Sequence, residues 1–238
     1  MKFSLLFEMQ MAEATPAAEQ RVFHDAVAQA ELADRLGYHC IWTVEHHGLQ
    51  RYSHSSAPEV FLAFVAARTK RIRIGHGVTL LPFAYNHPIR VAERVAALDI
   101  LSEGRVNFGT GKSSSQVEQR AFQVDPNTLS EQWDEALRMI VQIWRTPEFQ
   151  YQSASFSIPA TTIVPKPVQQ PHPPLFAACT SPGSAERAAH LGLGALCFSQ
   201  GTFAALEQQI RAYREAATRA VPIGVTATQH FACAPAAL

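Results

Sequence analysis

Several things are missing from this 238-residue sequence, and each absence narrows what it can be. Charge of one sign is missing: 20 basic residues face 20 acidic ones, so no broad electrostatic pull toward nucleic acid or an anionic membrane is expected. No apolar run reaches the roughly 18 residues of a membrane-spanning helix. The opening "MKFSLLFEMQ" is too short and too soon interrupted by Glu8 to be a signal peptide, and it reads as a first strand. The four cysteines, Cys40, Cys179, Cys197 and Cys233, lack CxxC spacing and lie in apolar runs, which predicts buried, reduced thiols in a cytoplasmic protein. No G-x-G-x-x-G follows the first strand, which removes the dinucleotide fingerprint. The segment "FGTGKSSSQVEQ" imitates a Walker A loop, but counting back from Gly111 places Val106 where the first glycine belongs, so that reading fails.

What is present is an alternation. Strand-like runs ("KFSLLF", "YHCIWTV", "RIRIGHGVTLL", "RVNFGT", "PLFAACT", "ALCFS", "IGVTATQHFACA") are separated by helix-like segments. The first helix has Val22, Ala26, Ala30 and Ala33 on one face and stops at Gly37, and Pro88 opens another at its first turn. Thr128 and Glu131 suggest a capping box for a helix with Trp133, Leu137, Ile140, Val141 and Trp144 in line. Ser181-Pro182 begins a further helix, and Thr202 caps one with Phe203, Leu206, Ile210 and Tyr213 in line. Residues 146–173 break the rhythm with a hairpin-like "FQYQSASFSI" and the proline-rich "VPKPVQQPHPP", an insertion within one domain covering residues 1–238. Buried strands alternating with helices predict a parallel sheet of the (β/α)8 TIM-barrel type. With seven strands found, the expectation is a barrel truncated after the seventh, lacking an eighth strand and the last helices.

In such folds chemistry sits at the C-terminal ends of the strands. Those ends carry Glu45, His46 and His47, then Gly77 onward, then Gly111-Lys112-Ser113, and finally Thr180, Ser181 and Ser184. Lys112 and the serine-led turn form a candidate cradle for one phosphate. Nothing in the spacing of His54, His76 or His87 calls for a metal, and Glu45-His46-His47 is not a metal motif, so no metal site is expected.

Four segments in this order, "WTVEHH", "LLPFAYNHPIRVAE", "LDILSEGRVNFGTG" and "AACTSPGSAERAAHLGLGAL", closely resemble the bacterial luciferase-like monooxygenases. The resemblance runs from Met1 to about residue 145, weakens across the insertion and returns after it. It implies an enzyme that binds reduced FMN, supplied by a separate flavin reductase, and uses O2 to oxygenate a small organic substrate through a C4a-peroxyflavin. It implies His46 as the catalytic residue with Glu45 and His47 as neighbours. The flavin ring would lie over a strained peptide, often cis, at Gly77-Val78, with the phosphate near Lys112, Thr180, Ser181 and Ser184. Many relatives carry Arg at Lys112, so the bidentate grip is lost. Gly111 occupies the place of luciferase's reactive cysteine and predicts room beside the flavin and no light emission. The resemblance also implies a homodimer through "APEVFLAFVAA" and "VAERVAALD", and a substrate pocket walled in part by the insertion. Alternatives are a flavin-binding protein without turnover, the use of deazaflavin F420 in place of FMN, and, more remotely, a metal-dependent barrel hydrolase.

Overall fold

A computed structural model describes residues 2–199, 202–219 and 231–235. Its elements are β1 (Ser4–Phe7), α1 (Pro16–Leu36), β2 (Cys40–Thr43), α2 (Pro58–Arg68), β3 (Arg73–Leu80), α3 (Pro88–Leu101), β4 (Val106–Gly111), α4 (Gln116–Ala121) and α5 (Leu129–Arg145). They continue with β5 (Phe149–Gln152), β6 (Ser157–Thr161), β7 (Leu175–Cys179), α6 (Ser184–His190), β8 (Gly194–Ser199), α7 (Phe203–Ala217) and β9 (Phe231–Pro235). Among the described residues the main sheet holds seven parallel strands in the order β1-β2-β3-β4-β7-β8-β9, with β1 and β9 at its edges. Part of the predicted seventh strand, residues 223–230, lies outside the described residues. The insertion contributes β5 and β6, an antiparallel pair of its own, as its alternating pattern predicts.

Strand alternation sorts the two faces of the sheet. Ile41, Ile74, Val106, Phe108, Leu175 and Ala195 face the helices and join the large core. The opposite set, Cys40, Trp42 and Phe176 with Leu6 and Leu196, forms a small separate cluster on the concave side. The indole of Trp42 lies across β3, where a Cβ on Gly75 would come within 2.3 Å of it and one on Gly77 within 3.1 Å. The predicted stripe of α5 is buried throughout. Trp133 Nε1 donates to Thr110 Oγ1 at 3.0 Å, which holds α5 to the end of β4.

Three local expectations are corrected. Thr128 makes no capping bond; its hydroxyl instead donates to Asp125 O at 2.9 Å, so the turn before α5 takes the group a cap would use. α6 begins at Ser184 behind Gly183, whose φ of 75° is left-handed and favours glycine, so neither Ser181 nor Pro182 starts the helix. Thr202 does cap α7, accepting from Ala205 N, but Phe203 at the first helical position is 93% exposed.

His76 points out of the sheet behind the site, buried against Phe108 with its Nδ1 unpartnered. Burial pushes its pKa down to about 4 from 6.5. The folded pKa is below the unfolded one, so its contribution to stability is present above about pH 6.5 and is lost as pH falls toward 4, roughly 3 kcal/mol in all. His76→Phe, which keeps the edge-on contact with Phe108, should flatten the acid limb of unfolding free energy between those pH values when followed by urea titration.

Candidate active site

The concave side of the sheet encloses a cavity of about 1380 Å³. Residues from the C-terminal ends of the strands form one end of it, and Leu6, Trp42, Phe176 and Leu196 give it an apolar floor. Of the residues singled out from sequence, Glu45, His46, Gly77, Val78, Lys112, Thr180, Ser181 and Ser184 line this one cavity. His47 does not: it turns away, stacked on Tyr85 at 6.1 Å and tilted against Phe122 at 4.7 Å. The insertion is not a wall either, because no residue of 146–173 lines the cavity. Its hairpin packs outside, with Phe156 edge-on to Phe83 at 4.6 Å.

At Gly77-Val78 the peptide is trans; among the described residues the cis bonds precede Pro165 and Pro171. The irregularity there is a bulge. His76 pairs with Phe108 and Thr79 with Thr110, so two residues of β3 oppose one of β4, and Gly77 and Val78 both face the cavity. The bulge presses the His76 carbonyl toward β4, where a Cβ on Gly109 would come within 2.1 Å of it. Gly111 offers no spare room, contrary to its reading from sequence. A Cβ there would meet Val78 Cγ2 at 2.4 Å, so the valine fills the space.

The orientation of His46 comes from a residue that the sequence did not single out. Glu118 on α4 is fully buried, and its Oε1 lies 2.8 Å from His46 Nδ1 and accepts the His47 N–H at 2.9 Å. Its Oε2 accepts from Ser113 Oγ at 2.9 Å, a contact reached with Ser113 in the left-handed region at φ 72°. An ionised carboxylate only accepts, so Nδ1 carries a hydrogen. Burial opposes the charge on Glu118, but the bonds from His46 and His47 outweigh it and lower its pKa. For His46 burial again opposes, while the hydrogen bond and charge of Glu118, with Glu8 and Glu45 beyond, raise the pKa. A sequence signal for Glu118 exists: Ser115-x-x-Glu118 has capping-box spacing, and Ser115 Oγ does accept from Glu118 N at 3.4 Å. Glu45 does not touch His46. It accepts from Leu80 N at 2.7 Å and Asn86 Nδ2 at 2.8 Å, and stands 3.3 Å from His47 Nε2, so it fastens the end of β3 to the turn before α3.

At the other side of the cavity Lys112 Nζ donates to Ser130 Oγ at 3.0 Å. Burial, and then the nearby Arg187, lower its pKa. Arg187 itself pairs with Asp134 and lies over the Trp133 ring. The Ser184 hydroxyl donates to Ser181 O and so tightens the turn that presents Thr180 and Ser181.

Glu118→Gln should cost about 1–3 kcal/mol, because a buried charged acceptor of three bonds becomes a neutral group with one acceptor atom. The folded pKa of Glu118 is lowered, so the advantage of the native protein should be present above about pH 4.5 and shrink as pH falls through the folded value. Urea unfolding of both proteins at neutral and acid pH measures it.

The model of the luciferase-like monooxygenase family matches residues 1–237. The chain is 32% identical over 196 residues to the oxygenase component of the flavin-dependent trigonelline monooxygenase of Acinetobacter baylyi, covering 81% of this chain and 52% of that protein. Among solved structures it superposes on the monooxygenase RslO1 of Streptomyces bottropensis with a TM-score of 0.83 at 31% identity, covering 92% of this chain and 67% of that one. The oxygenating constituent of 3,6-diketocamphane monooxygenase from Pseudomonas putida, solved with FMN, shares the fold at a TM-score of 0.81 and 21% identity, over 93% of this chain and 64% of that one. The chain thus spans about half the length of the curated relative and about two thirds of the solved ones. On the family match, this chain is a member of the luciferase-like monooxygenases.

Proposed function

We propose that the protein is the oxygenase of a two-component system, an FMN-dependent monooxygenase that receives reduced flavin from a separate reductase and oxygenates a small organic substrate. The observation that carries this reading is convergence. Eight residues selected from sequence, scattered from Glu45 to Ser184, line one cavity with an apolar floor and a cationic, hydroxyl-rich end. Its volume exceeds the usual several hundred Å³ of a ligand pocket, which leaves room for a flavin and a substrate together. The residues also fit the group chemically. Lys112 with Thr180, Ser181 and Ser184 suits a phosphate, and the Gly77-Val78 bulge gives the ring a nearly bare stretch of backbone.

When bound, reduced flavin supplies the electrons that activate O2. The chain's own tasks are narrower. Lys112 and the turn after β7 hold the phosphate; Trp42, Phe176 and Leu196 keep the floor dry. His46, with Nδ1 held by Glu118, manages a proton at Nε2. Pairing through α2 and α3 is supported by Val60 and Phe64, one turn apart on α2 and 66% and 55% exposed.

Anaerobic titration with photoreduced FMN should show saturable binding, and Lys112→Ala should weaken it about tenfold or more. Unchanged affinity in that variant would remove Lys112 from the phosphate site. His46→Ala should bind flavin as before yet turn over about 100-fold more slowly once air is admitted. Binding without O2 consumption in the native chain would favour the non-catalytic flavin carrier, and preferential binding of reduced F420 the deazaflavin reading.

A further inference from the structure

Three carboxylates act on the charge of His46, and they are not equivalent. Glu118 accepts from His46, the His47 N–H and Ser113, and Glu45 accepts from Leu80 N–H and Asn86 with His47 beside it. Glu8, directly after β1, has nothing comparable. Its side chain is 11% exposed, and Oε1 receives the Tyr52 hydroxyl only at the long distance of 3.5 Å. Oε2 is buried with no hydrogen-bond partner, and it lies 4.0 Å from His46 Nε2. Glu8 lines the cavity, as His46 does. A buried polar atom without a partner is costly, so such a residue calls for an explanation.

The ring itself identifies the nitrogen that matters. Nδ1 keeps its hydrogen against the Glu118 carboxylate in either protonation state, so the proton that comes and goes is on Nε2, the nitrogen turned toward Glu8. We infer that Glu8 and His46 form a proton-sharing pair on the cavity wall, with Glu8 the second acid–base group of the site. The inference rests on the cavity being the reaction site proposed above. His46 gives its Nε2 proton to an acceptor in the cavity, which leaves a neutral imidazole beside the Glu8 carboxylate. Glu8 then takes a proton from solvent and passes it to Nε2, so the pair returns to a Glu8 carboxylate and a His46 imidazolium. A gap of 4.0 Å is closed by one bridging water or by rotation of Glu8, whose tether to Tyr52 is long.

The surroundings agree with this division of labour. Burial raises the pKa of Glu8, with the His46 charge and the Tyr52 hydroxyl opposing. Burial works against a charge on His46, but Glu118, Glu8 and Glu45 together outweigh it. The groups facing the pair are thus Glu118 from α4, Glu45 after β2 and Tyr52 from the loop before α2.

The test is a pH titration of the flavin-free chain labelled with 15N-histidine, following His46 Nε2 by NMR from about pH 4 to 9. The native curve should show two inflections, the lower one reporting Glu8. In Glu8→Gln the lower inflection should vanish and the upper midpoint should fall, because a neighbouring anion is gone. Tyr52→Phe removes the hydroxyl donor and should move the lower inflection to higher pH. A Glu8→Gln curve that overlays the native one, or a lower inflection that Tyr52→Phe leaves in place, overturns the pair. Titrating the native chain with reduced FMN alongside keeps the two readings apart. Absent flavin binding with the predicted curves sinks only the proposed function, and normal binding with unchanged curves sinks only the pair.

Discussion

The concave side of this sheet depends on one packing contact, the Trp42 indole against the backbone of β3. With a Cβ at Gly75 the ring would be pushed off by a contact of 2.3 Å, and the floor built with Phe176, Leu6 and Leu196 would lose its largest member. Glycine weakens a strand by lost entropy and missing side-chain contacts. Here β3 and β4 accept it at Gly75, Gly77, Gly109 and Gly111. In return the interior is thin enough along these strands for an aromatic ring and a bulge to sit side by side. The bulge follows from the same economy of side chains, since the His76 carbonyl occupies space that any Cβ at Gly109 would need.

Around that floor the site separates its carboxylates by how well each is solvated by protein. Glu118 and Glu45 each accept several hydrogen bonds, and they act as struts: one holds a histidine ring, the other joins the end of β3 to α3 through Asn86 and Arg94. The struts leave His46 with a fixed tautomer and a single open nitrogen. His47, although adjacent in sequence, is committed to the aromatic packing of Tyr85 and Phe122. Neighbouring residues in extended chain face opposite ways, and a pair of histidines therefore becomes one site residue and one packing residue.

Much of this was legible in the sequence because it depends on local patterning. The strand and helix rhythm, the α5 stripe, the Thr202 cap and the hairpin of the insertion all follow from periodicity and capping chemistry. Placement of chemistry at strand ends then selected eight residues that line the cavity. What was not legible depends on pairs far apart in the chain. Glu118 reaches His46 across 72 residues, and its spacing from Ser115 announces a helix start and not a histidine partner. Gly111 reads as empty space until Val78 is seen to fill it, and Gly77-Val78 reads as a strained peptide until the register of β4 shows a bulge. Thr128 lost its expected cap to Asp125, a competition between two local hydrogen bonds that spacing alone does not rank.

The insertion has the clearest consequence beyond the site. Its proline-rich arm is held at the opposite end of the strands from the chemistry, where Gln169 bonds Asp99 through both backbone and side chain, reaches Val106 O and receives Arg73. Its hairpin leans on Phe83 and His87 from outside. The segment therefore braces the outer layer from top to bottom without touching the cavity. The exposed turn at Ser153–Ser155 is, for that reason, a natural place to attach a dye or a surface linker: cargo there hangs from the brace and leaves the reaction chamber as it was.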